Sequence, residues 1–410
     1  MDTEEIDVVV IGAGQAGLAA SHELGVRGVE HVVLERDDQV AGSWAYRWDS
    51  FCLVTPNHTI ALPGGEYRGP EPSGYLSREG IVAHLQDYAA SFGAPVRTGI
   101  CVQALTPVAG GLLLRTAEGD HIRARSVVVA TGAFQRVNRP AWVSAVPADV
   151  PVLDSGRYHS PESLPDGAVL VVGSGQTGCQ LAEELVLAGR RVILACGRAP
   201  WMYRRLDGID FVDWLQETPF FDLPVFALPF PQARFTSNPQ ATGAGGGHDL
   251  TTRTLAALGV QLSGHVGGVA DAVVTFVDDL EASVAWGDDR FRELRDLIQT
   301  GQTGRGKRAP SIPPPPAFDA SAALLSLDLN EVGSVVLTMG YRPDYSSWID
   351  VPGAFDELGF PVHSDGASTV VPDLHFVGVH FLRTRRSALL MGVGRDAALV
   401  ADSIAADLAH

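Results

Sequence analysis

The sequence predicts an α/β protein built on two strand–turn–helix units, and three observations predict it. Ile6 to Leu24, IDVVVIGAGQAGLAASHEL, joins an apolar, β-branched strand to a glycine turn and a helical pattern. Ala168 to Arg198, AVLVVGSGQTGCQLAEELVLAGRRVILACGR, repeats that signature. The runs SVVVATGAF, SVVLTMG and DLHFVGVHF supply further buried strands of the kind found in parallel sheets.

In the first unit Gly12, Gly14 and Gly17 fill a G-x-G-x-x-G frame. The first glycine allows the tight turn, the second admits a pyrophosphate, and the third lets helix and strand pack closely. Phosphates then meet free N–H groups at the helix N-terminus. Glu35 closes the next apolar run, HVVLE, where a carboxylate can bind a ribose hydroxyl. Strand, turn, helix and acid together read as a Rossmann-like dinucleotide site.

Composition narrows the class. A chain of 410 residues with 46% apolar content buries more than one core, so two domains are the natural expectation. Thirty basic against forty-eight acidic side chains give −18, which argues against nucleic acid or an anionic membrane as partner. MDTEEIDVVV shows no signal-peptide pattern, and apolar runs break well short of the ~18 residues of a membrane helix, so a cytoplasmic protein is expected. Cys52, Cys101, Cys179 and Cys196 form no C-x-x-C pair, so buried free thiols are expected rather than a dithiol or metal centre.

Along the chain, Gly42, Ser43 and Trp44 follow the second strand, where the tryptophan either packs on a bound ring or fills core. SREGIVAHLQDYAASF, Ser77 to Phe92, is a structural helix, and strands near Val102 and Leu112 to Thr116 form a hairpin before Ala130, Thr131 and Gly132. In the second unit Gly173, Gly175 and Gly178 fill the frame, and the strand VILAC leads to Gly197 and Arg198 with no acid in the place of Glu35. Arginine there suits a 2′-phosphate, so the first site favours a plain adenosine and the second NADP. Arg190, Arg191, Arg204 and Arg205 are further candidates, with solvated surface arginine as the alternative. Nine aromatics between Trp201 and Phe235 read as a packed subdomain core, with a pocket lining as the alternative. Asn238 to Leu250 is a glycine-rich turn in which His248 and Asp249 are weighed as ligand contacts, and APSIPPPPAF is a stiff connection marking a boundary.

Two such units in one chain resemble the flavin-containing monooxygenases, the class B group with Baeyer–Villiger and YUCCA-type enzymes, in its short bacterial branch. The resemblance rests on GAGQAG with Glu35, on Gly42-Ser43-Trp44 for the family's G-G-x-W, on Ala130 to Gly132, and on GSGQTG with CGR. TMGYRPDYSSWI and FVGVHFLRTRRSALLMGVGRDAA extend it to the C-terminal region. It implies FAD at Gly12, Gly14, Gln15, Ala16, Gly17, Glu35, Arg36, Gly42, Ser43, Trp44, Val102, Ala130, Thr131, Gly132 and Gly378. It implies NADP at Gly173, Ser174, Gly175, Gln176, Thr177, Gly178, Cys196 and Arg198. Asn57 is the nearest match to the family asparagine at the flavin edge and is the one catalytic candidate. The implied activity is NADPH-dependent monooxygenation of a small organic substrate, a soft N or S nucleophile or a carbonyl. In it reduced flavin takes up molecular oxygen as a flavin peroxide, which bound NADP shields. The flavin carries this chemistry and the protein orients it and excludes water.

The same comparison predicts an FAD domain from 1 to 162 plus 318 to 410, interrupted by an NADP domain from 163 to 317. The family fingerprint F-x-G-x-x-x-H-S-x-x-Y falls on ADVPVLDSGRY, where Ser155 and Tyr158 fit but Ala148, Val150 and Asp154 replace Phe, Gly and His; His159 substitutes only after a shift. A carboxylate at Asp154 is expected to repel the coenzyme phosphates. Two other readings compete: an NADPH-driven reductase or oxidase that leaks peroxide, and a flavin- and NADP-binding sensor. No metal, nucleic acid or membrane partner is expected, and homo-oligomerisation is left open.

Overall fold

The computed structural model describes residues 3–409. Its first sheet has nine strands, with Leu374–Phe376, His121–Val129, Thr3–Ile11 and His31–Leu34 side by side and parallel at the centre. The register pairs Ile11 with both Leu34 and Val129, and Val129 with Phe376. The residues that follow, Gly12, Glu35, Ala130 and Val377, therefore stand in one row at the carboxyl edge, the edge where open parallel sheets bind ligands. The expected hairpin, Val102–Val108 with Gly111–Thr116, hangs from the His121–Val129 strand.

The second sheet has five parallel strands in the order Val152–Asp154, Val332–Leu337, Ala168–Val172, Val192–Ala195 and Gln261–Ser263. Here the structure differs from the expected boundaries at 162 and 318. Val152–Asp154 and Val332–Leu337 pair into the second sheet, and Ser326–Asp328 pairs with Val273–Phe276 beside it. A short β-branched run buried on both faces fits the middle of either sheet, so its composition does not say which one takes it.

One apolar core runs through both units, from Val10 and Leu18 to Val171 and Leu181. Ser77 caps the helix Arg78–Ser91 by accepting the N–H of Gly80, 3.1 Å away. Within the aromatic segment Trp201, Leu206, Phe211, Leu215 and Phe221 pack together, and Trp201 stacks on Phe291 of the helix Leu280–Gly304 at 4.4 Å between centroids. That part is core, as expected. Phe226 and Phe230, 87% and 56% exposed, are not. Residues 307–320 carry no helix or strand, in keeping with the proline run. Among the described residues, no helix is long and apolar enough to cross a membrane.

Candidate dinucleotide sites

At the first turn Gly12 has φ +103°, and a Cβ there would come within 2.8 Å of the Ala130 carbonyl oxygen. A Cβ on Gly17 would lie 1.7 Å from the Gly12 carbonyl oxygen, so the helix Gln15–Val26 seats against the turn only because that atom is missing. Gly14 differs. A Cβ there meets nothing closer than Ser43 Oγ at 4.0 Å, and no side chain caps the helix. The space beside Gly14 and the uncapped N–H groups form an anion cradle.

Glu35 is buried, and its partners are backbone donors: the Ala13 N–H to Oε2 at 2.6 Å and the Asp37 N–H to Oε1 at 3.1 Å. No cation pairs with it among the described residues. A buried carboxylate so placed keeps acceptor capacity for hydroxyl donors such as those of a ribose, so this site fits FAD. Ile100 donates its N–H to the Glu35 carbonyl at 2.8 Å, which brings Val102 to the same corner, while Arg36 is exposed. Gly42 lets Asp37 approach, for a Cβ there would sit 2.0 Å from Asp37 Oδ2; Ser43 is exposed. Trp44 Nε1 donates to Gln15 Oε1 at 2.8 Å, and Gln15 Nε2 donates to the Ala388 carbonyl at 3.3 Å. Gly378, with φ +76°, lies against Ala16, and Gly132, with φ +84°, accepts from Tyr345 Oη and Gln135 Nε2; the Gln135 amide also reaches Thr131. Thus Gly12, Gly17, Ala130, Glu35, Trp44 and Gly378 gather around one helix N-terminus. Sequence reasoning missed the Gln15–Trp44 link, whose signal is a polar residue inside each motif.

Asn57 has another task. It is buried, Nδ2 donates to the Glu71 carbonyl at 2.9 Å, and Oδ1 accepts the Leu76 N–H at 2.7 Å. The side chain braces the 71–76 loop, as a buried amide must spend its polar atoms; it is not a free flavin-edge group.

The second turn repeats the first. Gly173 has φ +108°, a Cβ on Gly178 would lie 1.8 Å from the Gly173 carbonyl oxygen, and Gly175 faces open space at an uncapped helix start. Thr338 Oγ1 donates to the Gly173 carbonyl at 2.7 Å, so the altered T-M-G segment braces this turn. Ser174 Oγ donates to the Gly197 carbonyl and accepts its N–H, at 2.9 and 3.0 Å. Gln176 and Ala241 bond both ways, and Gln240 Nε2 donates to the Ser174 carbonyl, so the 240–241 stretch crosses the turn beside Thr177. Sequence reasoning passed over Gln240. Cys196 is buried and its thiol is pushed up to about 12 by that burial, which makes it lining rather than reactive.

The arginine candidates now separate. Arg190 bonds four backbone carbonyls, Arg191 pairs with Glu331 at 2.7 Å, and buried Arg204 pairs with Asp210 at 2.6 Å. Arg205 reaches the Gly246 carbonyl. Arg198 is exposed at the end of the strand Val192–Ala195, as a 2′-phosphate contact requires. His248 and Asp249 are spent elsewhere: His248 Nε2 lies 2.7 Å from Glu183, and Asp249 accepts the Arg204 N–H at 2.6 Å.

Between the sites, Ser155 Oγ and Tyr341 Oη lie 3.4 Å apart, and Tyr158 donates to Glu184 at 3.1 Å; His159 is exposed. Asp154 ends its strand opposite Leu337, two strands or roughly 10 Å from the strand that carries the second turn. Its carboxylate accepts from Arg139 Nε at 3.0 Å. Arg139, fifteen residues earlier in the chain, therefore offsets the charge from which repulsion of coenzyme phosphate is expected.

The family described as Pyridine nucleotide-disulphide oxidoreductase matches residues 9–212. The chain is 29% identical over 399 residues to a protein named Uncharacterized oxidoreductase CzcO-like from Geobacillus kaustophilus, covering 97% of this chain and 98% of that one. Indole-3-pyruvate monooxygenase YUCCA1 of Oryza sativa subsp. japonica is 33% identical over 186 residues, 45% of this chain and 46% of the relative. Among solved structures, the flavin-containing monooxygenase from Stenotrophomonas maltophilia superposes with a TM-score of 0.67 at 19% identity, covering 99% of this chain and all of that one, and shares the fold. The chain is therefore a flavin-dependent oxidoreductase, similar to the pyridine nucleotide-disulphide oxidoreductases over residues 9–212 and to a YUCCA monooxygenase over 45% of its length, with the fold of the flavin monooxygenases.

Proposed function

We propose that the protein is an NADPH-dependent monooxygenase that uses FAD and molecular oxygen to oxygenate a small organic substrate. The observation that carries this reading is the pair of equivalent glycine turns on two sheets that share one core, without an exchangeable dithiol. Cys179 and Cys196 are buried, and burial raises both thiols, the reverse of what disulphide exchange needs; Cys52 and Cys101 are half-buried rather than buried as expected, and burial raises Cys52 as well. FAD bound at the first site supplies hydride acceptance and oxygen activation.

The chain's own residues then divide the remaining work. The Gly12–Gly17 turn and Glu35 hold the flavin nucleotide, the Gly173–Gly178 turn holds the pyridine nucleotide, and Arg198 selects NADPH by its 2′-phosphate. Trp44, fixed through Gln15, packs at the first site and helps exclude water. Per turnover, NADPH, a proton, oxygen and the substrate give NADP⁺, water and the oxygenated product.

The test is rapid-mixing oxidation of NADPH-reduced holoenzyme by air, with and without NADP⁺, following hydrogen peroxide release. An oxygenase releases peroxide several-fold more slowly when NADP⁺ is bound. A reductase or oxidase releases one peroxide per NADPH at the same rate in both cases, and that result overturns the reading. A sensor shows no rapid bleaching of the flavin by NADPH.

A further inference from the structure

Three arginines, Arg383, Arg385 and Arg386, follow the last strand of the first sheet. Two are paired: Arg383 with Asp365 at 2.6 Å and Asp396 at 3.2 Å, and Arg386 with Asp222 at 2.8 Å. Arg385 has no carboxylate within ion-pair reach among the described residues. Its guanidinium lies over the rings of Phe220 and Phe381, at 4.3 and 5.0 Å. Its one side-chain hydrogen bond runs from Nη1 to Asn238 Oδ1 at 3.2 Å, and Nε is buried without a partner. In a chain with forty-eight acidic and thirty basic residues, a largely sequestered cation with no carboxylate is an unpaid desolvation that a bound anion can offset.

The surroundings define the anion. His380, beside Arg385, is held neutral by burial and by the Arg385 charge, down to about 4, so it adds no second cation. Burial lowers Arg385 itself only to about 10, which leaves it charged at neutral pH. Arg383 and Arg386 are already neutralised, and no lysine or glycine turn contributes to this contact. One free positive charge beside one neutral amide matches a singly charged carboxylate better than a phosphate dianion.

The position points to a substrate. Gly378 lies against Ala16, and Ala388 accepts from Gln15, so the segment bearing Arg385 is fastened to the start of the first dinucleotide helix on both sides. Opposite it runs the uncharged stretch Leu223 to Ala233; Arg385 donates its backbone N–H to the Leu223 carbonyl at 3.1 Å, and Val225 donates to Arg383 at 2.8 Å. On the same segment as Arg385, Phe381 adopts φ +51°, a left-handed strain of the kind that collects at ligand sites. We propose that Arg385 anchors the carboxylate of an otherwise apolar organic substrate, held between the first dinucleotide turn and the Leu223–Ala233 stretch. This rests on the oxygenase reading for the word substrate, whereas binding needs no turnover.

Benzoate and its uncharged counterpart benzamide serve as probes, titrated into FAD-loaded full-length enzyme with calorimetry and flavin absorbance as readouts. Wild type is expected to bind benzoate at least tenfold more tightly than benzamide. Arg385→Gln is expected to erase that preference while changing benzamide and NADP⁺ affinities less than twofold. Asn238→Asp places a carboxylate on Arg385 without removing it and is expected to erase the preference as well, so the test stands even if Arg385→Gln unfolds. The proposal is overturned if wild type does not distinguish the two probes, or if both variants keep the benzoate preference. A loss of NADP⁺ rather than benzoate affinity also overturns it and assigns Arg385 to a coenzyme phosphate. The peroxide experiment above is independent of these titrations, so the two readings fail separately.

Discussion

The Ala13 N–H donates a 2.6 Å hydrogen bond to Glu35 Oε2, tying the carboxylate at the end of the second strand to the glycine turn at the end of the first. The bond fixes Glu35 where a ribose hydroxyl meets it and also steadies the turn. Glu35→Ala should lower the affinity for FAD at least tenfold, in line with the ~1.5–3 kcal/mol of a hydrogen bond to a charged group. The ratio of flavin to protein absorbance after gel filtration measures it, and full retention of flavin would show that Glu35 only braces the turn.

The glycines of each frame should fail in different ways. At Gly14 a side chain meets open space in the protein, so Gly14→Val folds but purifies colourless because it occupies the pyrophosphate cradle. At Gly17 a Cβ sits 1.7 Å from a carbonyl oxygen, so Gly17→Ala should cost about 1–3 kcal/mol of stability. Circular dichroism melts of the two apoproteins separate the effects.

Arg198 is exposed and has no ion pair among the described residues, so it acts on the coenzyme or on nothing. Arg198→Ala should raise KM for NADPH by about 10- to 100-fold, the equivalent of ~1.5–3 kcal/mol, and leave KM for NADH within twofold. Equal losses with both coenzymes argue for a structural role.

At the Arg139–Asp154 pair, exposure makes the contact worth only about 0–1 kcal/mol of stability, but it decides the local charge. Arg139→Ala should uncover Asp154 and raise hydrogen peroxide yield per NADPH, and Arg139→Ala with Asp154→Asn should restore it. Asp154→Asn alone should change the yield little. If Arg139→Ala leaves the yield unchanged, Asp154 acts nowhere near the coenzyme.

His375 is buried in the first sheet with neither ring nitrogen hydrogen-bonded among the described residues, and burial lowers it to about 4. A folded-state value below the unfolded one, about 6.5, means that its stabilising contribution is complete above pH ~6.5 and is lost as the pH falls toward 4. His375→Phe should therefore flatten the fall in Tm between pH 7 and pH 5. An unchanged slope would put the acid sensitivity in other groups.

Both glycine turns, the carboxylate at the end of the first unit and the arginine at the end of the second are written in the local sequence. These were legible because they answer local demands: a backbone at φ +103° or +108°, or a helix so close that a Cβ would lie 1.7 Å from a carbonyl oxygen, accepts glycine alone. Likewise the cap at Ser77 and the strands follow from neighbouring residues and short periods. The remaining features arose from contacts between distant parts of the fold. Val332–Leu337 entered the second sheet because strand pairing, not composition, chooses among equally apolar runs. Asp154 was paired with Arg139, Asn57 was spent on the 71–76 loop, and Arg385 alone of its run was left without a carboxylate among the described residues. Each outcome depends on a partner brought from elsewhere in the chain, and a side chain's charge acts through what surrounds it in space, which no local pattern records.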